Sequence, residues 1–342
     1  MLTDRQKLIL KAIVEEYVET AEPVGSKVLT EKPYLGFSSA TIRFEMAKLE
    51  EMGYLEKTHT SSGRIPSDLG YRYYCSNLVT RDYDVQENFP LIDEIFINKE
   101  YEKERAIKEA LNLLSKLTNY TTVALGPDAE NLFVKKIDFI LLSENQAVIL
   151  IVTDHGNVQN QIVTIPHGMD LEELRKIVIT LDDCLRNIPL SKVEEIINNE
   201  FAKIQIRDFI DYRDQLLNTF VNAFTKITND NFYLSGITNV FNQPEFNDIN
   251  KMKTFIRAME ERSLLRIMNK ENKGLSIRIG HDNQILPMDD CTIISVPYRI
   301  DDDAYGTVAV IGPTRMEYKK VIPLVEYIAK NMTKLYRRWD KW

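Results

Sequence analysis

Residues 38–52 combine hydroxyl, cationic and small side chains at helical spacing. Ser38 suits the N-cap position, where its hydroxyl can accept a hydrogen bond from a free backbone N–H. At 100° per residue, Ile42, Met46 and Leu49 share one apolar face, which must pack on neighbouring helices. The segment is therefore predicted to be a helix that buries one face and presents the other.

The presented face has the chemistry for contacting duplex DNA. Arg43 can donate hydrogen bonds to a phosphate or to the O6 and N7 atoms of guanine, and hydroxyls in the first turn can donate to a phosphate. Small side chains allow the helix backbone to enter a groove. The predicted DNA-contacting residues of this helix are Ser38, Ser39, Ala40, Thr41, Arg43, Phe44, Ala47 and Lys48.

A polar hairpin follows the helix. Residues 54–58 and 64–65 are strand-like arms, and the residues between them form a turn. Hydroxyls and a cation at the tip suit phosphate or minor-groove contact, and the predicted contacts are His59, Thr60, Ser61, Ser62, Gly63 and Arg64. The alternative is a hairpin loop that is simply solvated.

Two further helices precede this pair of elements. Thr3-x-x-Gln6 is a capping box that predicts the start of the first helix, and a short helix is predicted at residues 26–31. Three helices followed by a hairpin is the order of a winged helix-turn-helix, in which the third helix contacts bases. Two interpretations of Phe44 stay open: it contacts a thymine methyl group, or it packs against the wing or a second subunit.

The remaining chain predicts an α+β fold class. Strands are predicted at 134–142, 146–153 and 158–165, and again at 275–280, 292–298 and 305–312. Helices are predicted at 102–118 and 319–339, and a mainly helical region separates the two sets of strands. Residues 82–100, which contain Pro90, are interpreted as a connector or the edge of a domain. This order predicts one α+β sheet domain with a helical insert.

Composition bounds the classes of function. The 342 residues suffice for about two domains, and 43 Lys and Arg against 51 Asp and Glu give a net charge of −8, which argues against coating nucleic acid by bulk charge. No apolar run approaches the roughly 20 residues that span a bilayer, and the N-terminus lacks a signal-peptide core, so a cytoplasmic protein is expected. Cys75, Cys184 and Cys291 are too scattered for a disulfide framework.

Catalytic and metal-binding patterns are not found in the sequence. None of the four histidines has a second ligand at metal spacing, and the common nucleophile and phosphate-binding motifs do not occur. We therefore predict no enzyme, no cofactor and no metal site. The loop from Gly312 to Met316 has two interpretations: a cradle for an anion, or a structural turn whose Arg315 binds a carboxylate.

Several segments resemble one family. Residues 37–74, which begin Phe37-Ser-Ser-Ala-Thr-Ile-Arg43, resemble the DNA-binding segment of the HrcA family of heat-inducible transcription repressors. Leu125-Gly-Pro127, Asn242-Gln-Pro-Glu-Phe246 and Ile311-Gly-Pro-Thr-Arg-Met-Glu-Tyr318 resemble its C-terminal signatures, so the likeness covers nearly the whole chain. The chain departs from the family segment at Phe44, where that segment has Asn.

The resemblance implies a domain plan. We expect a winged helix-turn-helix at 1–80, a linker at 81–100, a GAF-like domain at 101–185 and 262–342, and an inserted dimerisation domain at 186–261. The insert has a wide apolar helical face whose members are dimerisation candidates: Leu216, Leu217, Phe220, Val221 and Phe224.

The resemblance also implies a mode of action. A homodimer is expected to bind the CIRCE inverted repeat upstream of chaperone operons, to lose activity on heat stress, and to be restored by the GroE chaperonin. The alternative is a winged-helix regulator gated by a small molecule in the GAF-like domain. A domain core filled by its own side chains favours the first mode, and a large cavity with convergent polar groups favours the second.

Overall fold

The computed structural model describes residues 2–57, 63–80, 84–98, 102–126, 132–154, 158–165, 171–203, 218–219, 232–260, 274–283, 289–300 and 304–339. The chain divides into two compact units. The first contains Met1–Ala124, Tyr233–Arg299 and Thr307–Trp342, and the second contains Leu125–Phe232 and Ile300–Gly306. Helices are mixed with antiparallel sheet, which confirms the α+β class.

The first unit begins with three helices and a hairpin, in the order that the sequence predicted. Thr3 caps the first helix, and both hydrogen bonds of its capping box with Gln6 are present. The strands of the hairpin pair antiparallel, with Leu55 opposite Pro66 and Lys57 opposite Arg64. The elements are α1 (Asp4–Thr20), α2 (Ser26–Thr30), α3 (Ser39–Glu51), β1 (Leu55–Lys57), β2 (Arg64–Pro66) and α4 (Asp68–Tyr73). We call residues 2–73 the head.

The remaining helices and strands follow in chain order. They are α5 (Phe89–Ile97), α6 (Lys103–Thr118), β3 (Thr121–Leu125), β4 (Val134–Ser143), β5 (Gln146–Thr153), β6 (Val158–Thr164), α7 (Leu171–Leu185), α8 (Leu190–Lys203), β7 (Phe232–Ser235), α9 (Ile249–Glu260), β8 (Ser276–Ile279), β9 (Cys291–Arg299), β10 (Tyr305–Pro313) and α10 (Tyr318–Trp339). The first predicted set of strands corresponds to β4, β5 and β6, and the second to β8, β9 and β10. Each observed strand begins and ends within two residues of its predicted bounds.

A five-stranded sheet in the order β7-β3-β10-β9-β8 lies at the centre of the rest of the first unit, and we call it with its helices the body. Helix α10 packs against β9 and against α5 and α6. Every residue of β10 after Tyr305 is buried, which is the pattern of a strand covered on both faces. Strand β10 therefore belongs to the core of the body, with other residues packed on both of its faces.

The predicted connector at 81–100 contains a packed helix. In α5, Ile92 and Phe96 are buried, and the ring of Phe89 stacks on Tyr327 of α10 with ring centroids 3.8 Å apart. The linker at 81–100 stays a prediction, and Pro90 is compatible with the helix within it. It occupies the first turn of the helix, where its fixed φ suits the helix and its missing N–H has no helical partner to lose.

The second unit contains a separate three-stranded sheet in the order β4-β5-β6, with α7 and α8 packed on it. Asp182 of α7 is buried and accepts hydrogen bonds from the N–H of Ile137 (2.7 Å), from Lys136 Nζ (3.0 Å) and from Arg186. Burial acts to raise the pKa of this carboxyl, but these donors together lower it below its ordinary value.

The two compact units do not share the boundaries of the predicted domains, which stay a prediction. The sequence placed both later sets of strands in one domain and the insert at 186–261, whereas the segment that interrupts the first unit is Leu125–Phe232. The period-two pattern of a strand shows that it pairs, but does not show with which sheet. The dimerisation candidates Leu216, Leu217, Phe220, Val221 and Phe224 lie outside the described residues, so their role stays a prediction.

Candidate nucleic-acid interface

Helix α3 has a capping interaction at its start and a glycine at its end. The Ser38 hydroxyl accepts a hydrogen bond from the Thr41 N–H (3.2 Å), so the predicted N-cap is confirmed. Gly53 follows the last turn with a φ of +80°, a left-handed conformation that glycine adopts without steric cost. Both ends of the helix are therefore fixed by local chemistry.

The inward face of α3 is the one predicted, with one addition. Ile42, Met46 and Leu49 are buried, and so is Glu45, whose Oε2 accepts a hydrogen bond from Gln6 Nε2 of α1 (3.0 Å). Glu45 was missed because a carboxylate is rarely expected in a core. Its position three residues after Ile42 places it on the buried face, and that spacing was the available signal.

The outward face of α3 is accessible as predicted. Most of its predicted contacts are exposed, and the two that pack partly against the rest of the head are Ser39 and Thr41. The exposed members are Ser38, Ala40, Arg43, Phe44, Ala47 and Lys48. This accessibility is what a helix needs to enter a groove, while the contacts with DNA themselves stay a prediction.

Arg43 is oriented by a hydroxyl from the neighbouring helix. Its Nε donates a hydrogen bond to Ser26 Oγ (3.1 Å), and the same Oγ lies 3.1 Å from Ser39 Oγ. Ser26 is buried at the start of α2. It was not a predicted site residue, because a lone serine at a helix start is normally interpreted as a cap, and only the tertiary contact shows that it supports Arg43.

A basic cleft of about 630 Å³ lies beside the outward face of α3. Its walls are formed by residues at the start of α2, by the second and third turns of α3, and by the two hairpin strands. Its lining residues are Gly25, Ser26, Lys27, Arg43, Met46, Lys57 and Arg64. Four of these side chains are cationic, and cations on one surface suit contact with the phosphates of duplex DNA. Sequence reasoning did not select Lys27 and Lys57, since they lie outside the predicted recognition helix and hairpin tip.

The hairpin tip is only partly described. His59, Thr60, Ser61 and Ser62 lie outside the described residues, and Gly63 is buried. Arg64 is only 16% exposed, and its Nε and Nη2 each lie 2.7 Å from Glu50 Oε2 of α3. Its backbone also pairs with Val24. Arg64 therefore fastens the hairpin to α3, in addition to lining the cleft.

Phe44 is the most exposed large apolar side chain of α3, at 58%. Lys48, one turn later, places its Nζ 4.3 Å from the centre of the ring, at cation–π distance. At this exposure the ring is not packed into the head. Of the two open interpretations, packing against the wing is therefore not seen in the described part of the chain.

The loop between β10 and α10 is a structural anchor. Arg315 Nε donates to Glu245 Oε1 (2.6 Å), and Arg315 Nη1 donates to the Val18 carbonyl in the last turn of α1 (2.7 Å). The interpretation of Arg315 as a partner for a carboxylate is confirmed. Its second hydrogen bond attaches the head to the body.

Further polar contacts join the head to the body, and one of them pairs Arg72 Nε with Asp282 Oδ2 at 3.1 Å. Lys319 Nζ lies 2.5 Å from Glu15 Oε1. His281 Nδ1 lies 3.1 Å from Asp68 Oδ2, and this hydrogen bond raises the pKa of the imidazole. His281 is exposed, as expected of a turn residue, but it also fixes the start of α4.

Three further properties concern the cysteines, metal-ligating groups and helix lengths of the described residues. Burial raises the pKa of the Cys291 thiol, which disfavours the reactive thiolate. Among the residues that the structure describes, no three His, Cys, Asp or Glu side chains are grouped to hold a metal ion. Across the same described ranges, no helix is both long and apolar enough to cross a membrane.

Comparisons with known proteins identify one family of relatives. A family model described as the HrcA protein C-terminal domain matches residues 104–322. The heat-inducible transcription repressor HrcA of Acholeplasma laidlawii (strain PG-8A) is 51% identical over 341 residues, which covers 100% of this chain and 99% of the relative. The protein of the same name from Phytoplasma australiense is 44% identical over 338 residues, covering 98% and 99%.

A solved structure described as a hypothetical protein at 2.2 Å resolution has the same fold, with a TM-score of 0.62 and 22% identity over 99% of both chains. The sequence matches define the class of protein as a transcription repressor, which acts by binding DNA. More particularly, the chain belongs to the HrcA family of heat-inducible transcription repressors.

Proposed function

We propose that the chain represses chaperone operons by binding the CIRCE inverted repeat through the head, which acts as a winged helix-turn-helix. The observation that carries the proposal is the exposed face of α3 beside a cleft lined by four cations. In this proposal α3 enters the major groove and the hairpin is the wing. The body is the GAF-like domain, and the cytoplasm is the compartment in which such a repressor reaches the chromosome.

The residues of this interface have different proposed roles, some contacting bases and others contacting phosphates. Arg43, oriented by Ser26, contacts a guanine edge or a phosphate, while Lys27 and Lys57 contact phosphates along the cleft. The N–H groups in the first turn of α3, together with the hydroxyls of Ser38 and Thr41, donate hydrogen bonds to a further phosphate. Phosphate contacts set the position of the helix on the duplex, and base contacts select the sequence.

The charge balance supports selective binding. Residues 1–80 carry a net charge of −1 and residues 81–342 a net charge of −7. An acidic body repels the DNA backbone, which weakens binding that depends on phosphate alone. Specific recognition then depends on the arrangement of a few cations in the head and on two heads that bind together.

Replacing Arg43 by alanine tests the role of α3. If Arg43 contacts a base, affinity for the inverted repeat falls by about 1–3 kcal/mol, and if it holds a phosphate, the salt dependence flattens by about one unit. Fluorescence anisotropy with a labelled duplex, at several salt concentrations, measures both. Arg175, an exposed arginine of α7, provides the control Arg175→Ala. An unchanged affinity and slope for Arg43→Ala would remove Arg43 from the interface.

We further propose that the repressor acts as a homodimer. An inverted repeat presents two equivalent half-sites, which a two-fold symmetric dimer matches with two recognition helices. The segment Leu125–Phe232 is the proposed dimerisation insert, and the apolar residues 216–224 are the candidate contacts. Light scattering of the protein on a duplex with one inverted repeat is expected to give two chains per DNA, and one chain per DNA would contradict the dimer.

Heat response completes the proposal. Heating converts the repressor to an inactive form, and the GroE chaperonin returns it to the binding-competent form. Operator affinity measured across temperature, with and without GroE and ATP, is expected to fall on heating and to recover with chaperonin. An affinity that stays constant through heat-shock temperatures would exclude direct sensing.

A further inference from the structure

The outward face of α3 carries an apolar stripe. Ala40, Phe44 and Ala47 follow one another at intervals of four and three residues, the spacing of neighbours on a helix surface. All three are exposed, and Phe44 is exposed to 58%. The inward face of the same helix is already packed by Ile42, Met46 and Leu49, so the stripe contributes nothing to the core of the head.

Phe44 stands beside groups that suit the DNA backbone. Lys48 Nζ lies 4.3 Å from the ring centre, and Arg43 precedes Phe44 in the sequence and lines the cleft. Because the side chains of Ala40 and Ala47 are small, the Phe44 ring projects further from the helix axis than the other members of the stripe. A ring in this position meets the floor of the major groove when its helix enters the groove.

The chemistry of the groove leaves one partner for such a ring. A phenyl group can neither donate nor accept the hydrogen bonds that distinguish adenine, guanine and cytosine edges. In the major groove only thymine presents a methyl group, and apolar side chains contact it favourably. The apolar stripe is therefore complementary to a thymine methyl, while Lys48 is placed for the phosphate.

We propose that Phe44 selects a thymine in each half-site by contact with its C5 methyl group. The inference rests on the proposed function, because it assumes that α3 lies in the major groove. It adds a sequence preference that comes from van der Waals contact and desolvation. This preference is independent of the hydrogen bonds that Arg43 makes.

Deoxyuridine provides the test, since it lacks only the methyl group and keeps every hydrogen-bonding atom of thymine. Each thymine of the CIRCE inverted repeat is replaced by deoxyuridine in turn, and the affinity is measured by anisotropy. At one position in each half-site, wild-type affinity should fall about 4-fold, which corresponds to about 0.8 kcal/mol for one buried methyl group. Replacing both symmetric thymines should weaken binding about 15-fold.

Two substitutions at Phe44 separate recognition from general binding. Phe44→Ala should bind thymine and deoxyuridine duplexes equally, whereas Phe44→Leu should keep part of the discrimination because it keeps apolar surface. Phe241 is a matched control, since it is 52% exposed in the body and Phe241→Ala should discriminate as the wild type does. Circular dichroism checks that each variant is folded.

The outcomes are distinguishable. A wild-type protein that prefers the inverted repeat to a scrambled duplex, but tolerates deoxyuridine at every position, would overturn this inference alone. Equal weakening of thymine and deoxyuridine duplexes by Phe44→Ala would also overturn it. A wild-type protein without any preference for the inverted repeat would instead overturn the proposed function.

Discussion

Arg315→Ala should loosen the head from the body without removing any residue of the DNA-contacting face. Arg315 makes two hydrogen bonds in different directions, to the Glu245 carboxylate at 2.6 Å and to the Val18 carbonyl at 2.7 Å. Both partners of the ion pair are mostly buried, with side chains 14% and 21% exposed. The substitution therefore leaves a carboxylate and the end of a helix without their donor.

The structure allows the loss to be estimated. Hydrogen bonds that involve a charged group contribute about 1.5–3 kcal/mol each, so the two together are worth about 3–6 kcal/mol. Truncation returns roughly 2 kcal/mol of side-chain entropy, and Glu245 regains some water. We therefore expect the free energy of unfolding to fall by about 3 kcal/mol. Arg315→Lys should lose about half of this, because one ammonium cannot satisfy both acceptors.

Urea unfolding followed by circular dichroism measures the change, and hydrogen exchange reports where it occurs. Amides in the last turn of α1 should exchange faster in Arg315→Ala than in the wild type. The control is Arg175→Ala, whose exposed pair with Glu172 on α7 should contribute less than about 0.5 kcal/mol. An Arg315→Ala protein as stable as the control would refute the assignment of Arg315 as the anchor of the head.

Three further substitutions test other parts of the structure. Gly70→Ala should lower the free energy of unfolding by about 1–3 kcal/mol in a urea titration, because the new Cβ would lie 2.2 Å from the Tyr54 carbonyl oxygen. Ser26→Ala should weaken operator binding by about 1 kcal/mol in anisotropy, less than Arg43→Ala, since it removes only the group that orients the arginine. Asp182→Asn should lower the free energy of unfolding by about 2 kcal/mol at pH 7. The folded pKa of Asp182 is lowered, so its contribution is complete above the unfolded value of about 3.9 and is lost as the pH falls through the folded pKa, which urea titrations across acidic pH would show.

The sequence predicted most of the head because local signals there agree. Thr3, Ser38 and Ser67 are caps that act within three residues, and Gly53 ends its helix through its own backbone freedom. The apolar spacing of α3 then indicates which face is buried. Such features are decided by neighbours in sequence, so one sequence is enough to predict them.

Long-range contacts were not predictable in the same way. Asn239 lies in the region between the two predicted sets of strands, where the sequence indicated no contact for it, yet its Nδ2 donates to Ser115 Oγ (2.9 Å) and to the Tyr120 carbonyl (3.1 Å). Strand β3 was missed because it is short and entirely buried, so it lacks the alternation of a half-exposed strand. Ser26 belongs to the same group, since only its distance to Arg43 identifies its role.

The central claim is that the exposed face of α3 gives this chain a preference for one inverted repeat. The most direct measurement is the ratio of its affinities for a CIRCE duplex and for a scrambled duplex of equal length and composition, at physiological salt. Our account predicts a ratio of at least about 1,000. If Arg43 contacts a base, Arg43→Ala should lower this ratio and leave the scrambled duplex almost unaffected, and if Arg43 holds a phosphate, binding to both duplexes should weaken. Equal affinities of the wild type for the two duplexes would contradict the account.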